Sequence, residues 1–384
     1  MIFRIIAFCV LLQFGYVCMR VTVSLDALAH QGGAFQVGVM MSLLALFPTF
    51  LAMPFGRWMD RAGAQKPILA GAACLAAAAL FPFSFPMARY GIVPLYLCCI
   101  LDGIGFMCIQ MASLQMMGSL SRPEHRTDAF SWLAVGFAAS GLCAPVLSGY
   151  TIDLFGHRWA YALALLAIVL GFSLFLLNLK IVPASWGEVK KKEHRAGAFE
   201  LLGHPTLRIV LIVSAIVSVA WELENFMFPV YGHEIGLSAT HIGWLIGSFY
   251  SATFIVRFLM PILSRRIGPW TFMVFVLSAG AAAYAIFPFF TSLPPLLAVA
   301  FLLGLGLGAS QPNVMTLLHN NAPPGRVGEA LGIRTMMRNA AHTIVPVCFG
   351  AVTALIGVFW IFIAQAALMG GSALLVHFRD RTGN

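Results

Sequence analysis

Charged residues are scarce in this sequence. Only 10% of its 384 residues are Asp, Glu, Lys or Arg, whereas 60% are hydrophobic, and the mean hydropathy is +0.89. A soluble globule of this composition would lack the polar side chains needed to cover its surface. The composition therefore excludes a soluble protein and makes the lipid bilayer the solvent of the chain.

The sequence also lacks the motifs of ATP-driven pumps and of hydrolytic enzymes. It has no GxxxxGKS/T loop, and no polar segment is long enough to form a nucleotide-binding domain. No Ser-His-Asp, paired-carboxylate or metal-hydrolase pattern occurs at catalytic spacing. The eight cysteines all lie in apolar stretches, where they behave as small apolar side chains instead of forming disulfides or a zinc site. We therefore expect neither an enzyme nor a cofactor nor a resident metal ion.

Twelve apolar stretches fill the chain, and each is long enough to cross about 30 Å of hydrocarbon as a helix. The predicted spans are residues 4–26, 35–55, 67–86, 93–118, 130–151, 159–182, 207–231, 240–262, 270–291, 295–318, 331–356 and 358–377. No clear cleavage site follows the first span, which we expect to be retained. The sequence thus predicts an all-α membrane protein with twelve transmembrane helices.

Basic residues are distributed unequally between the two ends of these spans. Of the 23 Lys and Arg residues, 20 lie toward the side of both termini, Arg89 and Arg158 lie on the opposite side, and Arg20 lies inside a span. Because basic loops stay in the cytoplasm, this distribution predicts an inner (plasma) membrane protein with both termini cytoplasmic. The net charge of +9 is then a topology signal that attracts anionic lipid, and no nucleic-acid partner is expected.

The chain contains an internal repeat. At an offset of 205 residues, the second and eighth spans align without gaps from Gly38 and Gly243 to Gly63 and Gly268. A second register, at an offset of 201 residues, pairs Gly103 with Gly304, Gly105 with Gly306, Gln110 with Gln311, Ala129 with Ala330, Pro145 with Pro346, and Gly149 with Gly350. Duplicated six-helix halves are typical of transporters that rock two bundles about a central site.

The repeat predicts three parts: an N-terminal six-helix bundle at 1–182, a cytoplasmic linker at 183–206 and a C-terminal six-helix bundle at 207–384. The linker is polar and contains three consecutive lysines at 190–192. It is either a solvated loop that only sets the topology or a regulatory or lipid-binding segment.

The segment after the second span carries small and charged residues in a distinctive pattern: Gly56, Asp60, Arg61, Gly63 and Lys66. This pattern resembles the loop 2-3 signature of the major facilitator superfamily, and the two halves with a basic central loop extend the resemblance over the whole chain. The resemblance implies a gating loop in which Asp60 sits against the amino end of a neighbouring helix and is released as the halves rock. An ordinary topogenic loop is the alternative. In the second copy Arg265 replaces the carboxylate, so Asp60 is expected to dominate.

The fifth span resembles the glycine-proline motif of exporting members of the superfamily, through Gly136, Gly141, Pro145 and Gly149. Close helix packing and a bend at the proline are its physical content. Ala144 and Ser148 stand where that motif prefers glycine, so packing without any exporting function is the alternative.

Ionisable residues at membrane depth cost about 2.5 to 3.5 kcal/mol on insertion scales, so each is a functional candidate. In the first span, Gln13, Tyr16 and Arg20 are spaced by three and four residues and share a face, which is expected to line an aqueous cavity or to bond a neighbouring helix. Asp102 lies at a depth similar to Arg20, and spans 1 and 4 are neighbours in the family fold. We expect these two residues to pair, either as a structural salt bridge or in coupling to substrate or protons.

The seventh span carries a polar face formed by Ser214, Ser218, Trp221 and Asn225. On a helical wheel Glu222 lies about 60° from the centre of this face and Glu224 about 100° away on the other side. We predict that Glu222 carries protons, because a carboxylate beside an aqueous cavity can exchange protons with each side in turn. Glu224 is expected to reach the outer interface or a neighbouring helix, and a structural role is the alternative for either residue.

The tenth and eleventh spans add further polar candidates. Pro312 frees a backbone carbonyl, and its neighbours Gln311 and Asn313 are expected to bind solute, together with Gln110, the repeat partner of Gln311. Basic residues recur every four positions in the eleventh span, namely Arg334, Arg338 and His342. The arginines are expected to reach phosphates at the cytoplasmic mouth. His342 either titrates in the pathway or is a satisfied packing residue.

Together these patterns predict a proton-coupled secondary transporter that exports small organic molecules by alternating access, as a monomer whose partners are its solute, protons and lipid. A proton-coupled importer of an organic anion is one alternative, favoured by Arg20 and the basic residues of the eleventh span. A copper transporter is another, because Met107 and Met111 are one turn apart and thioethers bind Cu(I). A receptor or assembly factor that has lost transport is the third.

Overall fold

The computed structural model describes residues 2–30, 32–120, 126–182, 203–263, 267–322 and 327–382. These residues form twelve long helices and no strand: α1 (Ile2–Ala29), α2 (Ala34–Ala62), α3 (Gln65–Ser84), α4 (Val93–Leu120), α5 (Arg126–Phe155), α6 (His157–Leu177), α7 (Pro205–Glu234), α8 (Ala239–Leu263), α9 (Pro269–Ile286), α10 (Leu293–Asn321), α11 (Val327–Ile356) and α12 (Val358–Thr382). Short turns of helix at Met87–Tyr90 and Phe287–Phe289 lie in two of the connections. Each long helix is apolar enough to cross a membrane, so the predicted fold class is confirmed.

Most helices extend beyond the predicted spans, whereas α3, α6 and α9 end two to five residues before the predicted ends. The segment that the sequence analysis placed in a loop after the second span is helical through Ala62, and α2 ends where Gly63 adopts a φ of +71°. A loop at Gly56–Ala62 was therefore a wrong prediction, because polar side chains mark the exit from hydrocarbon and not the end of a helix. Glycine is suited to the terminating position because a positive φ strains residues with a Cβ.

Packing divides the helices into two groups of six. In the first group α1 packs against α4, α5 and α6, and α3 packs against α4 and α6; in the second α10 packs against α8 and α9, and α9 packs against α12. Small residues permit the close approaches, as at Gly15 of α1, where a Cβ would lie 2.5 Å from Ile168 of α6. The domain boundaries at 182 and 207 stay a prediction, since 183–202 of the linker lie outside the described residues.

Twelve crossings place both termini on one side, called here the termini side, and the opposite side is called the far side. The two groups meet mainly along α5 with α8 and along α2 with α11. The far ends of these helices approach backbone to backbone. A Cβ on Gly243 of α8 would lie 2.5 Å from the Pro145 carbonyl oxygen, and a Cβ on Gly38 of α2 would clash with the Pro346 carbonyl oxygen. The repeated glycines and prolines thus form the contacts that close the far side.

A carboxylate reinforces one of these two contacts. Asp153, near the far end of α5, accepts hydrogen bonds from the backbone amides of Ala239 (3.1 Å) and Thr240 (2.8 Å) at the amino end of α8. We call this arrangement the far-side latch. A negative charge is favourable there because the first amides of a helix lack partners and the helix dipole is positive. At the corresponding place on α11 stands Ala354, and Gly33 gives the amino end of α2 no side-chain cap.

Candidate functional site

A cavity of about 480 Å³ lies between the two groups of helices. It is lined from both sides, by residues of α1, α2, α4 and α5 and by residues of α7, α8, α10 and α11. Leu114 near the end of α4 and Thr335 near the start of α11 belong to its wall, so it extends toward the termini side. The glycine contacts and the far-side latch close the opposite end.

The polar stripe predicted on the first helix faces this cavity. Gln13, Tyr16 and Arg20 all line it, and Gln110 of α4 lies in the same wall. The Tyr16 ring stacks on Phe106, with ring centroids 3.9 Å apart and an interplanar angle of 9°. The first-half wall therefore combines a guanidinium with a flat aromatic surface.

Arg20 links the two groups of helices across the cavity. Its guanidinium donates to the Asn225 side-chain oxygen of α7 at 2.5 Å, and the Tyr250 hydroxyl of α8 lies 3.5 Å from the same oxygen. The Asn225 amide nitrogen in turn donates to the Trp221 carbonyl at 2.8 Å, which fixes the orientation of the side chain. The charge of Arg20 is thus bound by a neutral partner.

The expected ion pair between Arg20 and Asp102 is not formed. Asp102 is 1% exposed, does not line the cavity, and neither of its oxygens has a hydrogen-bond partner among the described residues. Arg20 lies in the cavity wall and donates to Asn225, whereas Asp102 is not part of that wall, so the two charges interact only at a distance longer than an ion pair. The neighbouring Gly103 packs on the Leu44 carbonyl of α2. Arg20 and Asp102 lie at a similar depth in the membrane, but an equal depth alone does not bring two side chains on neighbouring helices into contact.

The face predicted on α7 also lines the cavity, through Ser218, Trp221, Glu222 and Asn225. A carboxylate oxygen of Glu222 lies 2.5 Å from Nδ1 of His342 on α11. Glu224 is fully buried behind this wall, and neither of its oxygens has a hydrogen-bond partner among the described residues. The geometry thus separates the two carboxylates as the helical wheel predicted, while the role of Glu222 in carrying protons stays a prediction.

Gln311 and Asn313 of α10 separate in the structure. Gln311 lines the cavity and accepts a hydrogen bond of 2.8 Å from Arg334, which also donates to the Ser214 hydroxyl at 3.0 Å. Asn313 is instead buried and donates to the Pro269 carbonyl at 2.9 Å. Placing Asn313 with Gln311 in the cavity was wrong, because side chains two positions apart on a helix point in directions that differ by about 200°. Arg334 lies inside the second group of helices and does not reach toward lipid phosphates.

Arg338, Tyr250 and Phe106 are among the cavity residues that the sequence analysis did not assign to the pathway. Arg338 faces the cavity and forms no hydrogen bond or ion pair among the described residues. Its spacing of four from His342 was the available signal, since both fall on one face of α11. Tyr250 and Phe106 gave a weaker signal, because single aromatic residues in apolar helices are usually packing residues.

The gating segment and the sulfur residues complete the set of predicted sites. The backbone of Gly56, Asp60 and Arg61 lies in the last turns of α2, but the side chains of Asp60 and Arg61 are outside the described residues, so their gating role stays a prediction. Met107 and Met111 do line the cavity. Cys108 between them is buried, with its Cβ against Gly71 of α3. The soft ligands that would favour Cu(I) are therefore split between two faces of α4.

Comparisons with known proteins agree with this architecture. A model of the Major Facilitator Superfamily matches residues 5–346 and 210–384. Multidrug resistance protein MdtG of Dickeya zeae (strain Ech586) is 24% identical over 358 residues, covering 88% of this chain and 83% of the relative. MdtG of Klebsiella pneumoniae (strain 342) is 26% identical over 257 residues, which are 64% of this chain and only 61% of that relative's length.

Solved structures share the fold at low sequence identity. A POT family transporter in complex with a thioalcohol-conjugated peptide has a TM-score of 0.78 at 13% identity, covering 99% of this chain and 96% of the other. A bacterial homologue of the iron transporter ferroportin, in an inward-facing state, has a TM-score of 0.72 at 18% identity, covering 98% and 96%. At these identities the likeness concerns the fold alone. With its helix order, its central cavity and the family match over nearly its whole length, this chain belongs to the major facilitator superfamily and is a multi-pass membrane transporter, not an enzyme.

Proposed function

We propose that this protein exports small organic molecules in exchange for protons, by alternating access, as a monomer in the inner membrane with both termini cytoplasmic. The MdtG relatives are named multidrug resistance proteins, which supports the direction of transport, and the 20 basic residues on the termini side support the orientation. With that orientation, the cavity opens toward the cytoplasm and the latch closes the outer side.

The pair of Glu222 and His342 is the observation that carries the proposal. A carboxylate oxygen of Glu222 and Nδ1 of His342 are 2.5 Å apart, within hydrogen-bond distance, and both side chains face the cavity. Such a pair exchanges protons with whichever side of the membrane the cavity is open to. The neighbouring link from Arg20 to Asn225 spans the two groups of helices, so rocking must break it. Proton exchange and the conformational change are therefore adjacent in space.

The test measures transport by purified protein in sealed vesicles with an imposed pH gradient and a panel of neutral, cationic and anionic amphiphilic dyes. The parent protein should accumulate at least one dye against its gradient, moving it opposite to the proton flux. Glu222→Gln keeps the size and hydrogen bonding of the side chain but cannot release a proton. It should abolish uphill transport while leaving dye exchange between the two sides intact.

Glu224→Gln is the matched control, because it makes the same chemical change two residues further along α7, at a side chain that does not line the cavity. It should have the milder effect on uphill transport. If Glu222→Gln still drove uphill transport with the pH gradient as the only energy source, the assignment of the proton site would be wrong. A dye moving in the same direction as protons would instead support import of an organic anion, for which the structural argument is Arg338, a cavity residue with no hydrogen-bond or ion-pair partner among the described residues.

A further inference from the structure

The positive charges of the cavity exceed the negative charges that neutralise them. Arg20 and Arg338 both line the cavity, and Glu222 is the acidic residue in the described part of its wall. The Glu222 carboxylate is already engaged by His342 at 2.5 Å. Arg20 is bound by the neutral Asn225, and Arg338 has no partner among the described residues. The cavity thus holds two guanidinium groups, neither of which forms an ion pair with a described carboxylate.

Two further carboxylates, those of Asp102 and Glu224, lie outside the cavity wall, although each of them interacts electrostatically with Arg20. Asp102 and Glu224 are at most 1% exposed, lie behind the walls and accept no hydrogen bond from any described residue. A third guanidinium, that of Arg257 on α8, lies 5.9 Å from the centroid of the Trp221 ring. It adds a further positive charge close to the cavity wall. An anion that entered the cavity would therefore find charge-assisted donors, and Glu222 is the acidic group that it would meet in the described part of the wall.

Part of the remaining wall is apolar and aromatic, and it lies beside uncharged polar residues such as Gln13, Gln110 and Asn339. Phe106 stacks on Tyr16 beside Arg20, while Met107, Met111 and Leu114 continue the same face of the cavity toward the termini side. Flexible methionines accommodate apolar bodies of different shapes. A volume of about 480 Å³ is within the range of sites that bind drug-sized molecules. The cavity thus offers guanidinium groups that suit an acid group and, beside them, aromatic rings and thioethers that suit an apolar body.

We propose that the transported molecules are amphiphilic organic anions, whose acid group binds Arg338 and Arg20 and whose aromatic or aliphatic body packs on the Tyr16 and Phe106 wall. This inference rests on the proposed function, since it names the substrate class of the same cavity. Arg338 provides the first contact from the termini side, because its guanidinium forms no hydrogen bond or ion pair with any described residue. Arg20 provides the second when it exchanges Asn225 for the acid group, which releases the link between the two groups of helices.

Three probes with one aromatic body test the charge preference: 4-(pyren-1-yl)butyrate, its uncharged amide, and the corresponding butylammonium. Binding is measured with the full chain in lipid nanodiscs without a pH gradient, and empty nanodiscs of the same lipid provide the correction for partitioning. A charge-assisted hydrogen bond corresponds to about a 10- to 100-fold change in affinity. The carboxylate should therefore bind with at least about tenfold higher affinity than the amide, and the ammonium should have the lowest affinity of the three.

Two substitutions should move this preference in opposite directions. Arg338→Gln should remove most of the advantage of the carboxylate over the amide, and Arg338→Lys should retain part of it. Glu222→Gln should increase the affinity for the carboxylate, because it removes the negative charge from the wall. Arg208→Gln is the matched control, since Arg208 is an exposed arginine on the termini side that does not line the cavity. Arg208→Gln should change neither the affinity for the carboxylate nor the affinity for the amide.

The outcomes separate this inference from the proposed export function. Anion selectivity would be overturned if the three probes bound the parent protein equally. It would also be overturned if the Arg338→Gln variant eluted as a folded, monodisperse protein and kept the preference for the carboxylate. Either result would leave export of uncharged molecules standing. Tighter binding of the ammonium would overturn anion selectivity as well and favour cationic substrates at Glu222. Failure of all three probes to bind would count against the anion inference and against the cavity as the site of the exported molecule.

Discussion

Removal of the Asp153 carboxylate should open the far side of the protein more often. In the structure both carboxylate oxygens accept hydrogen bonds from backbone amides at the start of α8, at 3.1 and 2.8 Å. Asp153→Ala deletes both bonds and the favourable interaction with the helix dipole. Asp153→Asn keeps one oxygen acceptor without the charge, so its effect should be intermediate.

The size of the effect follows from the cost of losing a helix cap. Replacing an Asp cap by Ala costs about 0.5 to 2 kcal/mol, and the solvent exposure of Asp153 keeps the electrostatic part small. These bonds join the two groups of helices and exist only while the far side is closed. This full cost of about 0.5 to 2 kcal/mol therefore appears in the equilibrium between closed and open states, which shifts by a factor of about 2 to 30.

Spin labels on the far-side connections of the two groups measure this shift. Labels replacing Arg89 and Thr291, in a background without the exposed Cys143 and Cys348, report the distance between the two groups of helices. The parent protein should show mainly the short distance, and Asp153→Ala should add a clear population at a longer one. Identical distance distributions for the parent and Asp153→Ala would refute the latch.

The repeat supplies a compensating substitution. Position 354 corresponds to 153, and Ala34 at the start of α2 corresponds to Ala239 at the start of α8. Because α2 has no side-chain cap, Ala354→Asp should build a second latch between α11 and α2. Combined with Asp153→Ala, it should restore part of the short-distance population. If the double variant opened as far as the single one, the two contacts would not be equivalent.

The remaining predictions concern topology, burial and packing. Cysteines replacing Lys190 and Asn384 should react with impermeant reagents only from the cytoplasmic side, and labelling of either from outside would contradict the twelve-helix topology. Asp102→Asn should leave the thermal stability unchanged or raise it, because the carboxylate accepts no hydrogen bond among the described residues; a drop of several degrees would reveal a partner that this structure does not contain. Gly243→Ala should lower the closed population in the spin-label assay, because its Cβ would lie 2.5 Å from a carbonyl oxygen, whereas Gly332→Ala, where a Cβ meets nothing within 4 Å, should not.

The fold was largely predictable because the bilayer imposes a simple rule on sequence. A helix must present about 20 apolar residues to cross hydrocarbon, and this requirement is visible without any knowledge of packing. The ends of the helices were less predictable. At Gly56–Ala62 the chain leaves the apolar region but keeps its backbone hydrogen bonds, so hydropathy gave the membrane boundary and missed the helix end.

The candidate site was predictable within single helices and not between them. A helical wheel placed Gln13, Tyr16 and Arg20 on one face and separated Glu222 from Glu224, because side-chain direction within a helix follows from the backbone geometry. Partners across helices depend on rotation and depth, which one sequence does not specify. Arg20 was therefore assigned to a carboxylate of its own half, although its reach extends across the cavity to the opposite half.

The repeat explains why the two interfaces between the groups resemble each other in shape and differ in chemistry. Ser42 of α2 donates to the Thr343 carbonyl of α11, whereas at the corresponding positions Gly247 of α8 packs against the apolar side chain of Leu142 on α5. The pair of α2 and α11 is thus joined by hydroxyl groups well inside the membrane, and the pair of α5 and α8 is joined at its far end by the carboxylate of Asp153. Matched small residues allow both pairs to slide, but their polar bonds lie at different depths. We expect the far end of α5 and α8 to separate first once Asp153 is released, with α2 and α11 retaining their deeper bonds until the halves have begun to rock.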